Sequence, residues 1–127
     1  MGQPVVLIAD DDPDFRLLVK FLLAETKVEV REAVDGNHAL EQLRAEPTSI
    51  LILDLVMPKP DGIEIMHQVK REFPDVKVVA VSGAIAGQTY LDCLLLLGAD
   101  AAIRKRDVPA CFVPVVTALL PHAATPA

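Results

Sequence analysis

The chain has 127 residues, of which 52% are hydrophobic and 24% charged, and its formal net charge is −6 at pH 7. This length and composition fit a single globular domain and exclude an intrinsically disordered chain. Because the charge is acidic and basic residues are dispersed outside the run from Arg104 to Arg106, we expect no direct binding of DNA or RNA. Apolar runs are too short for a signal peptide or a membrane span, so we expect a soluble, cytoplasmic protein with no membrane partner.

Short apolar runs alternate with longer amphipathic segments along the chain. The apolar runs predict strands over residues 5–9, 27–33, 50–53, 76–81 and 101–104. The amphipathic segments predict five helices. The first begins near Pro13, and the other four cover residues 38–45, 63–72, 88–97 and 109–120. This βαβα order is typical of an α/β fold with a parallel sheet and helices on both faces. We expect the domain to cover residues 1–121, with 122–127 as a flexible tail or the start of a linker.

Polar residues follow four of the predicted strands at the point where each strand ends. They are the triplet 10–12 after the first strand, Asp54 after the third, Ser82 after the fourth and Lys105 after the fifth. In open parallel sheets, ligands bind outside the carboxyl ends of the strands, near the point where strand order reverses. The sequence therefore predicts one site that combines carboxylates, a hydroxyl and an ammonium group.

A cluster of carboxylates needs a compensating charge, because two of them about 4 Å apart repel by about 4 kcal/mol at an effective dielectric of 20. Oxygen ligands without His or Cys favour a hard cation, and a site open to water and phosphate suits Mg²⁺. An ionised Asp beside such a cation can attack phosphorus and form an aspartyl phosphate. Lys105 would then balance charge on the phosphoryl oxygens, and Ser82 would donate a hydrogen bond to them.

Four motifs in this order resemble the receiver family of two-component signalling, including its stand-alone, CheY-like members. The motifs are VLIADDD (6–12), DLVMPKPDG (54–62), SG (82–83) and GAD (98–100), the last followed by Lys105. The resemblance covers nearly the whole chain. It implies a flavodoxin-like, doubly wound sheet of five parallel strands in the order 2-1-3-4-5 with five helices. It also implies a switch that catalyses only its own phosphorylation and dephosphorylation and is not otherwise an enzyme.

The resemblance assigns a role to each matching residue. Asp54 would accept a phosphoryl group from a histidine kinase or a histidine phosphotransfer protein. Asp11 would bind Mg²⁺ directly together with Asp54, Asp10 would assist through water, and the backbone carbonyl of Val56 would complete the protein's share of the metal shell. Ser82 would provide the switch hydroxyl, and Lys105 would provide the ammonium group that contacts the phosphate.

The chain departs from the family pattern beside the lysine, where the signal is expected to leave the site. Ile103 replaces the usual aromatic residue and Arg106 replaces the usual proline, so we expect weaker rotamer coupling. The fourth helix carries more apolar residues than one buried face requires, including Tyr90, Leu91, Leu94 and Leu95, and Pro114 is expected to interrupt the fifth helix. The sequence thus predicts that a downstream protein or a second copy binds a surface formed by the fourth helix, fifth strand and fifth helix.

Two other functions remain open from the sequence. A pseudo-receiver would use the acidic pocket for binding without being phosphorylated, and the replacements at Ile103 and Arg106 favour it. A phosphatase of the haloacid-dehalogenase type would also use an Asp nucleophile and Mg²⁺, but it needs a general acid two residues later, where this chain has Val56. Cys93 and Cys111 lack the spacing of a zinc site or disulfide framework, and we expect them to be buried, reduced thiols.

Overall fold

A computed structural model describes residues 2–55, 62–83 and 88–121 of the chain. Several sequence predictions lie outside these residues: the carbonyl of Val56, the rest of the loop up to residue 61, and the tail 122–127. Within the described residues, no helix is both long and apolar enough to cross a bilayer.

The five strands form one parallel sheet in the order β2-β1-β3-β4-β5. Their bounds are β1 Val5–Ala9, β2 Glu29–Ala33, β3 Ile50–Asp54, β4 Lys77–Ser82 and β5 Ala101–Arg104. This confirms the predicted fold class and strand order. The second strand begins two residues later than predicted, because the Val28 N–H donates to the carbonyl of Thr26 in a tight turn and pairing starts only at Glu29.

Five helices connect the strands, as predicted. They are α1 Pro13–Leu22, α2 Gly36–Ala45, α3 Gly62–Glu72, α4 Gln88–Leu96 and α5 Val108–Leu119, with a short 3₁₀ turn at Lys105–Asp107 before α5. The expectation that Pro114 interrupts α5 is wrong, since the helix runs through it. Pro114 forfeits one backbone hydrogen bond, but Phe112 and Val116 on either side of it are fully buried and hold the helix on the sheet.

Alternate residues of each strand enter two separate core clusters, one on each face of the sheet. In β1, for example, Leu7 packs with α2, α3 and α4, whereas Val6 and Ile8 pack with α1 and α5. Because both faces are covered, the inner strands are apolar at nearly every position, as β3 with its five buried residues illustrates. The buried polar residues of the described chain lie at or just after their carboxyl ends.

The two cysteines are free, as predicted, but both are exposed, and the expectation of buried thiols is wrong. The inward positions of α4 are Leu91 and Leu94, and Cys93 falls between them on the outer side. In α5, the turn that buries Phe112 directs the preceding Cys111 outward.

Candidate functional site

Three polar side chains are buried at the carboxyl edge of the sheet. Asp10 follows β1, Asp54 ends β3 and Ser82 ends β4, and they are 0%, 4% and 3% exposed, respectively. Among the described residues, they are the buried polar or charged ones. Lys105, which follows β5, lies beside them with its Nζ 2.9 Å from Asp10 Oδ2 and 3.3 Å from Asp54 Oδ2. The structure thus brings the strand-end residues to one edge, as the sequence predicts.

Asp10 is fixed by hydrogen bonds from the chain on both sides of it. Its N–H donates to the carbonyl of Ala33 at 3.1 Å, which extends the β1–β2 pairing by one residue. Its Oδ1 accepts from the N–H of Asp12 at 2.8 Å, and its carbonyl accepts from Nη1 of Arg16 at 2.6 Å. These contacts hold the buried carboxylate at the end of β1 with Oδ2 directed toward Lys105.

The triplet 10–12 divides its roles among its three carboxylates. Asp10 is buried, and Asp11 is exposed at the mouth of the cluster. Asp12 is the N-cap of α1, because its side chain accepts from the N–H of Asp14 at 2.9 Å. Only the first two of these carboxylates remain to serve the site.

The ionisation of the pocket reflects burial and charge together. Burial raises the pKa of Asp10, and the nearby charge of Asp54 raises it further, although the Asp12 N–H and Lys105 act in the opposite direction. Burial alone would lower the pKa of Lys105, but the two carboxylates outweigh it and raise that pKa above its ordinary value. The ammonium therefore stays charged, whereas the buried acid carries its charge at a cost.

The carboxylates are arranged so that a cation could bind among them. Asp10, Asp11 and Asp54 each offer an oxygen, and the three oxygens lie within 4.8 Å of one another. Within the described part of the chain, Asp10 Oδ2 is buried without a well-directed hydrogen bond, and Lys105 contacts it only as an ion pair. An all-oxygen donor set with an orphaned buried oxygen fits a hard divalent ion such as Mg²⁺.

Two residues near the pocket were not assigned to it from the sequence. The ring of Phe15 lies under Lys105, with 4.7 Å between Nζ and the ring centroid. Arg16 joins the carbonyl of Asp10 to the carboxylate of Glu32, to which its Nε donates at 2.9 Å. The position of Phe15 in the first turn of the helix after the Asp triplet was the available signal.

The residues predicted for signal output lie in different environments. Ile103 is 5% exposed and lies in the core, whereas Arg106 is exposed. Leu94, which the sequence assigned to the output surface, is 1% exposed and belongs to the buried face of α4. Leu91, assigned to the same surface, is also buried. Tyr90 and Leu95, which the sequence placed there too, are exposed, and so is Leu96, at 87%.

Comparison with known proteins finds similarity to response regulators. The family model described as the response regulator receiver domain matches residues 6–111. The response regulator receiver protein CpdR of Brucella abortus is 36% identical over 81 residues, which are 64% of this chain and 68% of CpdR. The nitrogen assimilation regulatory protein NtrX of Azorhizobium caulinodans is 36% identical over 80 residues, which are 61% of this chain but only 18% of NtrX.

Solved structures show the same architecture. The response regulator protein TrrA of Thermotoga maritima, in complex with Mg²⁺-BeF, aligns with a TM-score of 0.80 at 27% identity. The alignment covers 92% of this chain and 99% of that one.

Proposed function

The chain belongs to the response regulator receiver domain family of two-component signalling, and on that premise we propose that it is a phosphorylation-dependent switch with Asp54 as the phosphoacceptor. One observation carries the proposal. The Lys105 ammonium bridges two buried carboxylates, those of Asp10 and Asp54, at the edge of the sheet where Asp11 completes a set of three. Such a cluster is costly to bury, and binding a cation and then a phosphoryl group would put it to use.

The proposed phosphodonor is a histidine kinase or a histidine phosphotransfer protein. An Asp54 oxygen attacks phosphorus, so that an O–P bond forms as the N–P bond to the donor's imidazole breaks. The imidazole nitrogen keeps the bonding electron pair and is left neutral or takes up a proton. Water later attacks phosphorus, the bond between the Asp54 oxygen and phosphorus breaks, and inorganic phosphate leaves. Asp54 is then a carboxylate again, so the chain catalyses only its own modification and its reversal.

The neighbouring residues serve this transfer in separate ways. Mg²⁺, when bound, supplies positive charge to the phosphoryl oxygens. Asp11 and Asp54, with Asp10 through water and the carbonyl of Val56, are proposed to hold it. Lys105, which already contacts Asp54, neutralises a further oxygen, and the hydroxyl of the buried Ser82 donates a hydrogen bond.

The identity of the phosphoacceptor is tested by mass spectrometry of the intact protein after incubation with Mg²⁺ and a small acyl phosphate. We expect the mass of one phosphoryl group to be added to the wild type and nothing to be added to Asp54→Ala. A matched control is Asp75→Ala, which removes an exposed carboxylate just before β4, at the other end of the sheet, and should label like the wild type. An unlabelled wild type would favour a pseudo-receiver, and rapid turnover of a small phosphate ester would favour a phosphatase.

The signal is proposed to leave through α4, β5 and α5 toward a downstream protein or a second copy. The outer side of α4 exposes Tyr90 and Leu96, and residues 108–121 contain no charged side chain. Phosphorylation adds about −1.5 to −2 charge at Asp54, which would draw Ser82 and Lys105 inward and shift the start of α4. NMR spectra with and without a beryllofluoride phosphate mimic test this; changes confined to α1 would contradict it.

A further inference from the structure

The Lys105 ammonium contacts two unlike kinds of group. It lies 2.9 Å from Oδ2 of Asp10 and 3.3 Å from Oδ2 of Asp54. It also lies over the ring of Phe15, with 4.7 Å between Nζ and the ring centroid. This last distance is within the range of about 6 Å at which a cation is attracted to the face of an aromatic ring.

We infer that Phe15 is a positioning residue for phosphoryl transfer, because its ring keeps the Lys105 ammonium against the carboxylates. The inference rests on the function proposed above for Asp54. A lysine side chain has four rotatable carbons and strongly hydrated charge, and this one is still 28% exposed. Without a surface beneath it, the ammonium could move toward solvent and leave the two acids uncompensated.

The position of the ring is itself well determined. Phe15 is 7% exposed and belongs to the core cluster between the sheet, α1 and α5. It lies in the first turn of α1, whose start is fixed by the Asp12 cap and by Pro13. The Asp12 N–H also binds Oδ1 of Asp10. One short segment therefore sets both the carboxylate and the ring that face Lys105.

The ring suits this role better than an aliphatic side chain would. The face of an aromatic ring carries negative charge density, so it attracts the ammonium without forming a hydrogen bond that would compete with a phosphoryl oxygen. Lys105 can thus be held in place before the reaction and remain free to contact the incoming group. Loss of the ring should slow phosphorylation through Lys105. It should leave the affinity for Mg²⁺ unchanged, because the oxygens that could hold the cation belong to Asp10, Asp11 and Asp54.

The test compares rates of phosphorylation by a small acyl phosphate at saturating Mg²⁺. Phe15→Leu should react about 2- to 5-fold more slowly, which is the effect of a partly exposed cation–ring contact. Phe15→trifluorophenylalanine keeps the ring's shape but withdraws its negative charge density, so its rate should fall between that of the wild type and that of Phe15→Leu. Phe112→Leu is the matched control, because it removes a ring from the same core cluster; it should react at the wild-type rate.

A double-mutant cycle shows whether the effect acts through the lysine. In a protein that carries Lys105→Ala, the further change Phe15→Leu should cause no additional decrease in the phosphorylation rate. The residual rate of Lys105→Ala alone is the reference. A readout independent of activity is the NMR shift of the methylene next to Lys105 Nζ, which the ring should move upfield in the metal-free wild type and not in Phe15→Leu.

Each outcome decides the matter. If the wild type labels and Phe15→Leu labels equally fast, the inference is overturned while the proposed function stands. It is also overturned if Phe112→Leu is as slow as Phe15→Leu, or if the slowing persists on the Lys105→Ala background. If the wild type does not label at all, the proposed function fails and the positioning role fails with it, whereas the methylene shift still reports whether the contact exists.

Discussion

Replacing the buried carboxylate of Asp10 with a neutral isostere should stabilise the metal-free protein. Asp10→Asn keeps the Oδ1 that accepts from the Asp12 N–H and keeps the volume of a fully buried side chain. It removes a charge from a site where burial is the main reason that the pKa is raised. Because burial disfavours the charged form of this carboxyl group, the wild type loses stability when it carries an ion there.

The size of the effect follows from opposing interactions. At an effective dielectric of 20, oxygens of Asp10 and Asp54 that lie within 4.8 Å of one another repel by about 3.5 kcal/mol or more, and Lys105 at 2.9 Å attracts Asp10 by about 6 kcal/mol. The attraction alone would lower the pKa, so its rise shows that desolvation and repulsion together exceed the attraction. We expect a net gain of about 1–2 kcal/mol in the free energy of unfolding of Asp10→Asn at pH 7.

The assay is urea unfolding at pH 7 with a chelator, repeated in acid and with Mg²⁺. Because folding raises the pKa of Asp10, the stability that its protonated form contributes is fully present below the pKa of the unfolded state. That contribution is lost as the pH rises through the pKa of the folded state. The advantage of Asp10→Asn should therefore shrink toward acid. If Mg²⁺ binds as proposed, a concentration of 100 times its dissociation constant should stabilise the wild type by about 2.7 kcal/mol and the variant by less.

Asp11→Asn is the matched control, since it removes a carboxylate of the same cluster that is exposed. It should change stability less in the chelator but abolish most of the response to Mg²⁺, because that carboxylate is proposed to ligate the ion directly. If Asp10→Asn is no more stable than the wild type in the chelator, the reasoning from burial is refuted. Equal Mg²⁺ responses in Asp11→Asn and the wild type would contradict the proposed ligand.

Two further predictions concern the stability of the fold. Gly62→Ala should destabilise the fold by about 3 kcal/mol or more in urea, because its Cβ would lie 2.5 Å from Cα of Leu55 and backbone must move; Gly2→Ala, with nothing within 4 Å, should have no effect. Asp100→Asn should remove stability at pH 7 but not in strong acid. Burial would raise the pKa of Asp100, yet the Val78 N–H and neighbouring ammonium groups lower it, so its contribution is lost as the pH falls through the lowered pKa; parallel pH profiles of the two proteins would contradict this.

Most of the fold could be predicted because a two-sided parallel sheet leaves a simple pattern. The inner strands are buried on both faces, so they appear as unbroken apolar runs of about the right length. Edge strands are less regular. Strand β2 contains Glu29, Val30, Arg31 and Glu32 with no regular alternation, and its start depends on a turn hydrogen bond that no periodicity reveals.

The residues at the strand ends could be predicted for the same reason, whereas their contacts could not. Asp10, Asp54 and Lys105 each follow an apolar run, and parallel pairing alone brings them to one edge. The ring of Phe15 is distant in sequence from the lysine that it contacts, and its spacing indicates only a helix face. The burial of Leu94 was missed because α4 has apolar residues on every side, so its sequence does not distinguish the inner face from the outer one.

The environment of Ile103 indicates how a signal could reach the outer helices. This β-branched side chain is 5% exposed, belongs to the same core cluster as Phe112, and pairs across the sheet with Val81. It already fills the interior and has a restricted χ1, so it has no outward position from which to swing. The next pair along the same ladder joins Ser82 to Arg104, directly before Lys105. A change at Asp54 that draws in the hydroxyl and the ammonium would thus pull on adjacent rungs of β4 and β5, and main-chain displacement rather than a rotamer change is the route that this packing leaves open.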